Sequence, residues 1–231
     1  MQRAYLIPAY QAGASLARVL SELRACDPAG QLLVVDDGST DGSGSIAREL
    51  GVEVVSHPRN CGKGSALRTG FSWLAERGFP AVVTVDADGQ HRAEDALMLA
   101  QHSAPQTAIV LGVRDLVRDG APKPSRFSNR FSNLWVSLFS GQRLSDTQCG
   151  LRRYPLPLTL ALGAAGRGYD FESEVLVRAA RRDVPIVEVP VRVIYPPRAE
   201  RVSHFHVVRD PARIVVRLVH TALTARRGPG P

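Results

Sequence analysis

The segment VDADGQH, residues 85–91, sets Asp86 and Asp88 two positions apart at the end of an apolar run. Two carboxylates at this spacing face one point if the chain turns there, and hard oxygen donors of this kind hold Mg²⁺ or Mn²⁺ together with a diphosphate. The same residues with Gly89 also make an Asx turn, in which Asp88 only reverses the chain, so both readings stand at this stage. A second acidic stretch, VVDDGSTDGS at residues 34–43, offers Asp37 to a ligand and Asp41 as a helix cap. In NCGKGSA, residues 60–66, Lys63 lies between glycines ahead of a helical pattern, where an ammonium and backbone N–H groups can meet phosphate. The spacing is not that of a Walker A loop, and no G-x-G-x-x-G follows the first apolar run, which argues against a dinucleotide-dependent oxidoreductase.

The elements that must position these residues follow from hydrophobic periodicity. AYLIPAY, QLLVVDDG, VEVVSH and AVVTVDAD read as buried strands; SLARVLSEL, DGSGSIAREL and GSALRTGFSWLAERG read as the helices between them. This alternation predicts an α/β fold, a Rossmann-like, mostly parallel central sheet with helices on both faces in a single domain. Ligands of such sheets bind beyond the carboxyl ends of the strands, which is where Tyr10, Asp37, residues 57–63 and residues 86–91 fall. Farther on come AIVLGVR, a helical RFSNRFSNLWVSLF, the segment DTQCGLRRY, a helical DFESEVLVRAARR and a strand pair in PIVEVPVRVIY. Residues 209–227 form an amphipathic basic helix, with Val215, Leu218, Val219, Ala222 and Leu223 on one side and Arg213, Arg217, His220 and Thr224 on the other. Trp73 and Trp135 sit in helical patterns as packing residues.

The chain has 231 residues, of which 44% are hydrophobic and 22% charged, enough for a core of its own. Cys26, Cys61 and Cys149 are too few and too scattered for a disulfide framework or a zinc site, which fits a reducing cytosol. No apolar run approaches the roughly 20 residues that cross a bilayer, and the first strand begins so near Met1 that no signal peptide is expected. A formal charge of +7 suits an anionic partner. Without an aromatic-interleaved basic patch, a helix-turn-helix signature or zinc-finger spacing, nucleic acid is not the expected one.

Taken together LIPAY, VVDDGSTDGS, NCGKGSALRTGF, VDADGQH, GVR, DTQCGLR and GYDFESEVL resemble, in order and over most of the chain, the family 2 glycosyltransferases of GT-A fold. Within that family the likeness is to the dolichyl-phosphate mannose synthases and bacterial polyprenyl-phosphate glycosyltransferases. The resemblance implies a donor site for a UDP- or GDP-sugar, with the nucleotide against Pro8, Tyr10 and Asp37, phosphate contacts from Lys63 and Asp86, and Asp86, Asp88 and Gln90 around Mg²⁺ or Mn²⁺. Relatives often read P-x-Y-N-E where Gln11 and Ala12 stand here, so nucleoside contacts from those two positions are not carried over.

The acceptor decides the remaining residues. A sugar or small-molecule hydroxyl would need a general base, for which Asp170 is the first candidate and Glu172 the next. A polyprenyl phosphate is already anionic and needs cations instead, and the resemblance implies Arg114, Arg126, Arg130 and Arg201, with Arg198 near them. Asp88, Asp170, Arg114 and Arg126 are thus the catalytic candidates. SHF at residues 203–205 stands where many relatives carry a Ser-Lys pair, so no catalytic lysine is expected there. His204, His206 and His220 are not spaced as a metal site.

The expected organisation is a glycosyltransferase domain over residues 1–227, with a nucleotide-sugar half at 1–114, an acceptor half at 115–208, the basic helix at 209–227 and a flexible tail at 228–231. The expected activity is a metal-dependent, inverting transfer of sugar to a polyprenyl phosphate, by a cytoplasmic protein peripheral at the inner face of the membrane, with or without a membrane-spanning partner. The competing expectations are a hydroxyl acceptor with Asp170 as base, and a non-catalytic nucleotide-sugar-binding or membrane-associated subunit. A nucleotidyltransferase is also possible, but this chain lacks the N-terminal G-x-G-rich loop with a nearby Arg and Lys that such an enzyme would carry.

Overall fold

A computed structural model describes residues 2–195 and 209–224. Seven strands form one sheet in the order β3-β2-β1-β4-β6-β5-β7. These are β1 (Ala4–Ala9), β2 (Gln31–Asp36), β3 (Glu53–Ser56), β4 (Ala81–Thr84), β5 (Ile109–Arg114), β6 (Arg152–Pro155) and β7 (Ile186–Val191). All neighbours are parallel except β6, which runs antiparallel between β4 and β5.

Alternation along β1 sends Tyr5, Ile7 and Ala9 to one face, under α1 (Gly13–Cys26), α2 (Ser43–Glu49) and α4 (Ala93–Ala100). Ala4 and Leu6 point to the other, under α3 (Lys63–Glu76), α5 (Lys123–Ser140), α6 (Leu156–Ala161), α7 (Asp170–Ala180) and α8 (Arg209–Thr224). The mostly parallel sheet covered on both faces is the fold expected from the alternating pattern.

Several elements depart from expectation, among them α4 and α6, which were not anticipated. No strand was anticipated in LRRYP, because β6 is buried along its whole length yet carries Arg152 and Arg153, so hydropathy alone hides it. Arg152 is fully buried because its guanidinium donates to the carbonyls of Cys149, Thr147 and Glu172 and to Tyr154 Oη. The strand pair expected in PIVEVPVRVIY is one strand, β7, followed by a single bridge from Val193 to His91.

Helix α8 is present, but its faces are rotated from the expected ones. Ile214, Leu218 and Thr221 are buried, while Val216, Val219 and Leu223 face solvent. Arg217 lies on the inner side, 3.1 Å from Asp170 and 3.8 Å from Glu174. A lone amphipathic helix with apolar residues distributed this way fits two faces almost equally well, and the carboxylates of α7 select one.

At the opposite end of the sheet from the chemistry, Asp27 accepts from Arg3 Nε and Nη2 at 2.6 and 2.7 Å and from the buried Tyr5 hydroxyl at 2.8 Å. The Arg3 guanidinium holds the Asp27 carboxyl below its ordinary value. Asp27→Ala is expected to cost about 1–3 kcal/mol at pH 7, because the Tyr5 hydroxyl loses its acceptor in the core. A carboxyl with a depressed folded pKa contributes stability above about pH 4 and loses it as the pH falls through the folded value. Urea unfolding at neutral and acid pH should therefore show the gap between variant and parent narrowing as the solution is acidified.

Candidate active site

The carboxyl ends of β1 to β4 meet at one edge. Beyond β2 the carboxylate of Asp37 accepts from Cys61 N at 2.9 Å, Gly62 N at 2.7 Å and His57 Nδ1 at 2.6 Å, which draws residues 57–62 down over the sheet. Gly38, at φ +74°, packs on the Arg59 backbone, where a Cβ would collide. Asp37, His57 and Cys61 bring three ligand-type atoms within 4.8 Å, yet both Asp37 oxygens and both His57 nitrogens already have partners, so this cluster serves to fold the loop. Asp41 caps two helices at once, accepting from Ser43 N of α2 and from Gly13 N of α1. Gln11 exchanges hydrogen bonds with Thr40, so the residue that replaces the usual asparagine clamps the acidic turn. Pro8 is the last residue but one of β1, in register with Val35, and Tyr10 follows the end of the strand.

Lys63 opens α3 directly after Gly62, whose φ of +96° turns the chain into the helix. Its ammonium lies 2.6 Å from Asp86, 3.1 Å from Glu172 of α7 and 5.6 Å from the Tyr169 ring centre. Burial opposes the charge on Lys63, but the two carboxylates outweigh it and raise its pKa. Burial likewise pushes the Asp86 carboxyl up, and the Lys63 ammonium overcomes this to hold it down at about 2. Gly150 makes room for that carboxylate, since a Cβ there would strike Asp86.

Asp88 does make the Asx turn, accepting from Gln90 N at 3.0 Å around Gly89 at φ +70°. The turn reading is thus realised, and the same turn brings Asp88 close enough to Asp86 for their charges to interact. Burial and the charge of Asp86 push the Asp88 carboxyl up to about 6. His91 is buried with Nε2 3.8 Å from Asp86 and Nδ1 unpartnered among the described residues, and burial lowers it to about 4. Two carboxylates close enough to disturb each other, with one ammonium shared with Glu172, are short of positive charge. The donor set therefore fits a divalent cation. Gln90 commits its backbone N–H to Asp88 and its carbonyl to Ile194.

Arg114, at the end of β5, is held by Asp146, which accepts from its backbone N at 3.1 Å, Nε at 2.7 Å and Nη2 at 2.9 Å. It lines a cavity of about 720 Å³ with Arg118, Lys123, Arg126 and Arg130, so the expected arginines from β5 and α5 do converge. A larger cavity of about 1110 Å³ lies between residues 57–61 and the outer face of α3 and contains none of the Asp86 group. Asp170 accepts from Gly168 N at 2.9 Å and from Arg217 Nε at 3.1 Å, so both its oxygens are engaged. Arg198, Arg201 and residues 203–206 lie outside the described residues.

Sequence reasoning missed Asp146, Arg118, Lys123, His91 and the pairing of Glu172 with Lys63. One signal was available. RFSNRFSN, residues 126–133, repeats every four residues, which in a helix stacks like residues one turn apart.

Glycosyl transferase family 2, as a sequence family, matches residues 5–155, which hold the whole Asp86 group except Glu172, together with Arg114 and Asp146. The chain belongs to that family. It is a nucleotide-sugar-dependent glycosyltransferase of GT-A fold. This family 2 enzyme is 32% identical over 201 residues to an undecaprenyl-phosphate mannosyltransferase of Micrococcus luteus, covering 82% of each chain. It is 28% identical to a polyprenol monophosphomannose synthase of Mycolicibacterium smegmatis, over 80% of this chain and 75% of that one. Among solved structures, glucosyl-3-phosphoglycerate synthase of Mycobacterium tuberculosis, in complex with Mn²⁺, UDP and glucosyl-3-phosphoglycerate, superposes with a TM-score of 0.68 at 19% identity. That superposition covers 96% of this family 2 chain and 79% of the other, and it bears on the fold.

Proposed function

We propose that this glycosyltransferase moves a sugar from a UDP- or GDP-sugar to a polyprenyl phosphate, with inversion at the anomeric carbon. The observation that carries the reading is the cationic cavity: Arg114, Arg118, Lys123, Arg126 and Arg130 surround a space with Asp115 as the one acidic lining residue among those described. A phosphate oxygen is a nucleophile without deprotonation, so the site needs positive charge rather than a base. Asp170 is ion-paired with Arg217 and is not among the residues that line the cationic cavity, so it is poorly placed to act as base on an acceptor bound there.

In the reaction an acceptor phosphate oxygen bonds to the anomeric carbon as the bond from that carbon to the donor diphosphate breaks, and the nucleoside diphosphate leaves. One in-line displacement inverts the centre. Asp86 and Asp88, with Gln90 and His91 beside them, would hold Mg²⁺ or Mn²⁺, which when bound offsets charge on the leaving diphosphate. Lys63 keeps Asp86 ionised and oriented, and Glu172 keeps Lys63 in place. Pro8, Tyr10 and the turn of Asp37 form the wall for the nucleoside.

No helix among the described residues is long and apolar enough to cross a membrane. Phe127, Leu134 and Leu138 of α5 and Val216, Val219 and Leu223 of α8 are exposed, and α5 packs on α8. These residues and the arginines around them suit docking on an anionic lipid surface. Val216→Asp with Leu223→Asp is expected to reduce co-sedimentation with phosphatidylglycerol vesicles at least about tenfold, since each apolar side chain contributes about 1.5–3 kcal/mol when buried. Transfer to a short-chain acceptor in detergent should be unchanged.

The deciding test incubates the purified protein with Mn²⁺ or Mg²⁺, a panel of UDP- and GDP-sugars, and short-chain polyprenyl phosphate, with products read by mass spectrometry. A glycosyl phospholipid that requires both metal and lipid is expected. Transfer to glycans or alcohols but not to lipid would overturn the acceptor reading, and donor binding without any turnover would make the chain a binding subunit.

A further inference from the structure

We infer that Asp146 is the positioning residue for the anionic acceptor, and that it acts by locking α5 and the end of β5 around one cavity. The inference rests on the acceptor reading above and concerns a residue that touches neither the cavity's ligand nor the Asp86 group.

Asp146 is 1% exposed, and its carboxylate accepts from five donors: Arg114 N, Nε and Nη2, Gln148 N, and Asn129 Nδ2 of α5. Burying a carboxylate this deeply is tolerated only with such pairing. The neighbouring contacts extend the clasp along the helix. Asn133 donates to Ser145 O at 2.6 Å and accepts from Thr147 N at 2.8 Å, Ser132 meets Thr147 Oγ1 at 3.0 Å, and Gln148 donates to Ser128 at 3.2 Å.

The four-residue repeat explains why this clasp also aims the arginines. At about 100° per residue, the Ser and Asn of each RFSN unit share one side of α5, the Arg follows at its margin, and the Phe falls opposite. Accordingly Ser128, Asn129 and Ser132 are buried against residues 145–148, and Arg126 and Arg130 line the cavity beside Asn129, Asn133 and the exposed Phe127. An apolar face could slide or rotate by a few degrees at little cost. Directed hydrogen bonds to Asp146 and its neighbours set one rotation and one register. Arg114, pinned by the same carboxylate through Nε and Nη2, lines the same cavity. One buried acid thus fixes cations from two elements in a common frame.

The experiment compares wild type with Asp146→Asn, an isosteric change that removes the charge, and with Asn129→Ala, which leaves the Arg114 pair intact. Binding of farnesyl phosphate is followed by the fluorescence of Trp135 on α5, and initial rates separate acceptor KM, donor KM and kcat, each corrected for folded fraction by thermal melting. Asp146→Asn is expected to raise the farnesyl phosphate Kd and the acceptor KM at least about tenfold, with donor KM within about twofold, and Asn129→Ala to raise them about three- to fivefold. A merely structural Asp146 would lower the folded fraction while the corrected Kd and acceptor KM stayed at the wild-type values, and that result overturns the inference. If Asp146→Asn does not fold, an unchanged Kd in Asn129→Ala overturns it alone. Wild type that binds farnesyl phosphate without transferring sugar to it refutes the acceptor reading and leaves this inference to the binding data, whereas wild type that does not bind it refutes both.

Discussion

Asp86→Asn is expected to leave a folded protein whose sugar transfer falls at least about a thousandfold, a loss of about 4 kcal/mol of transition-state stabilisation. The side chain keeps its volume beside Gly150, and Lys63 keeps Glu172 as a counter-ion, so the melting temperature should move by only a few degrees. What disappears is one of the two carboxylates proposed to hold a divalent cation. Mn²⁺ binding, read by the loss of the free-ion paramagnetic resonance signal, should weaken in parallel with activity, while metal-free binding of nucleoside diphosphate persists. The Asp88 carboxyl, pushed up partly by Asp86, should drop back toward its ordinary value in the variant. Activity within tenfold of wild type would mean that residues 86–91 are only a turn.

The double variant Arg126→Gln, Arg130→Gln should raise the acceptor KM about a hundredfold or more and leave the donor KM unchanged. A charge-assisted hydrogen bond to phosphate contributes about 1.5–3 kcal/mol, so two removed together span roughly 10²- to 10⁴-fold. The lower end applies here because Arg130 is exposed and its field is screened by salt. The effect should accordingly be larger in dilute buffer than at high ionic strength. Arg114 is a poorer probe, since deleting it strands the buried Asp146 carboxylate at a cost of about 3–5 kcal/mol and mixes folding with binding. Unchanged acceptor KM in the double variant would move the acceptor out of the cavity beside α5 and remove the main support for a phosphate acceptor.

Much of this protein is legible in its sequence because the determinants are local. Continuous apolar runs alternating with amphipathic stretches give the order of strands and helices, and the strand ends locate Asp37, Lys63, Asp86 and Asp88 at one edge. Gly38, Gly62 and Gly89 mark turns with positive φ, a property of the residue itself. Of the two readings of the paired carboxylates, the turn is formed, and we propose that the same turn presents Asp86 and Asp88 to a metal.

What only the tertiary structure decided are the partnerships. Lys63 meets Glu172, Arg114 meets Asp146, and Arg217 meets Asp170 across long stretches of chain. These contacts turn Glu172 into a support for Lys63, engage the candidate base and make a buried acid the organiser of the cationic cavity. The face that α8 presents and the burial of the arginine-bearing β6 are of the same kind. Hydrophobic periodicity reports how one element meets an apolar core, whereas a buried charge is stable only with a specific partner, and nothing in the local pattern names a partner that lies elsewhere in the chain.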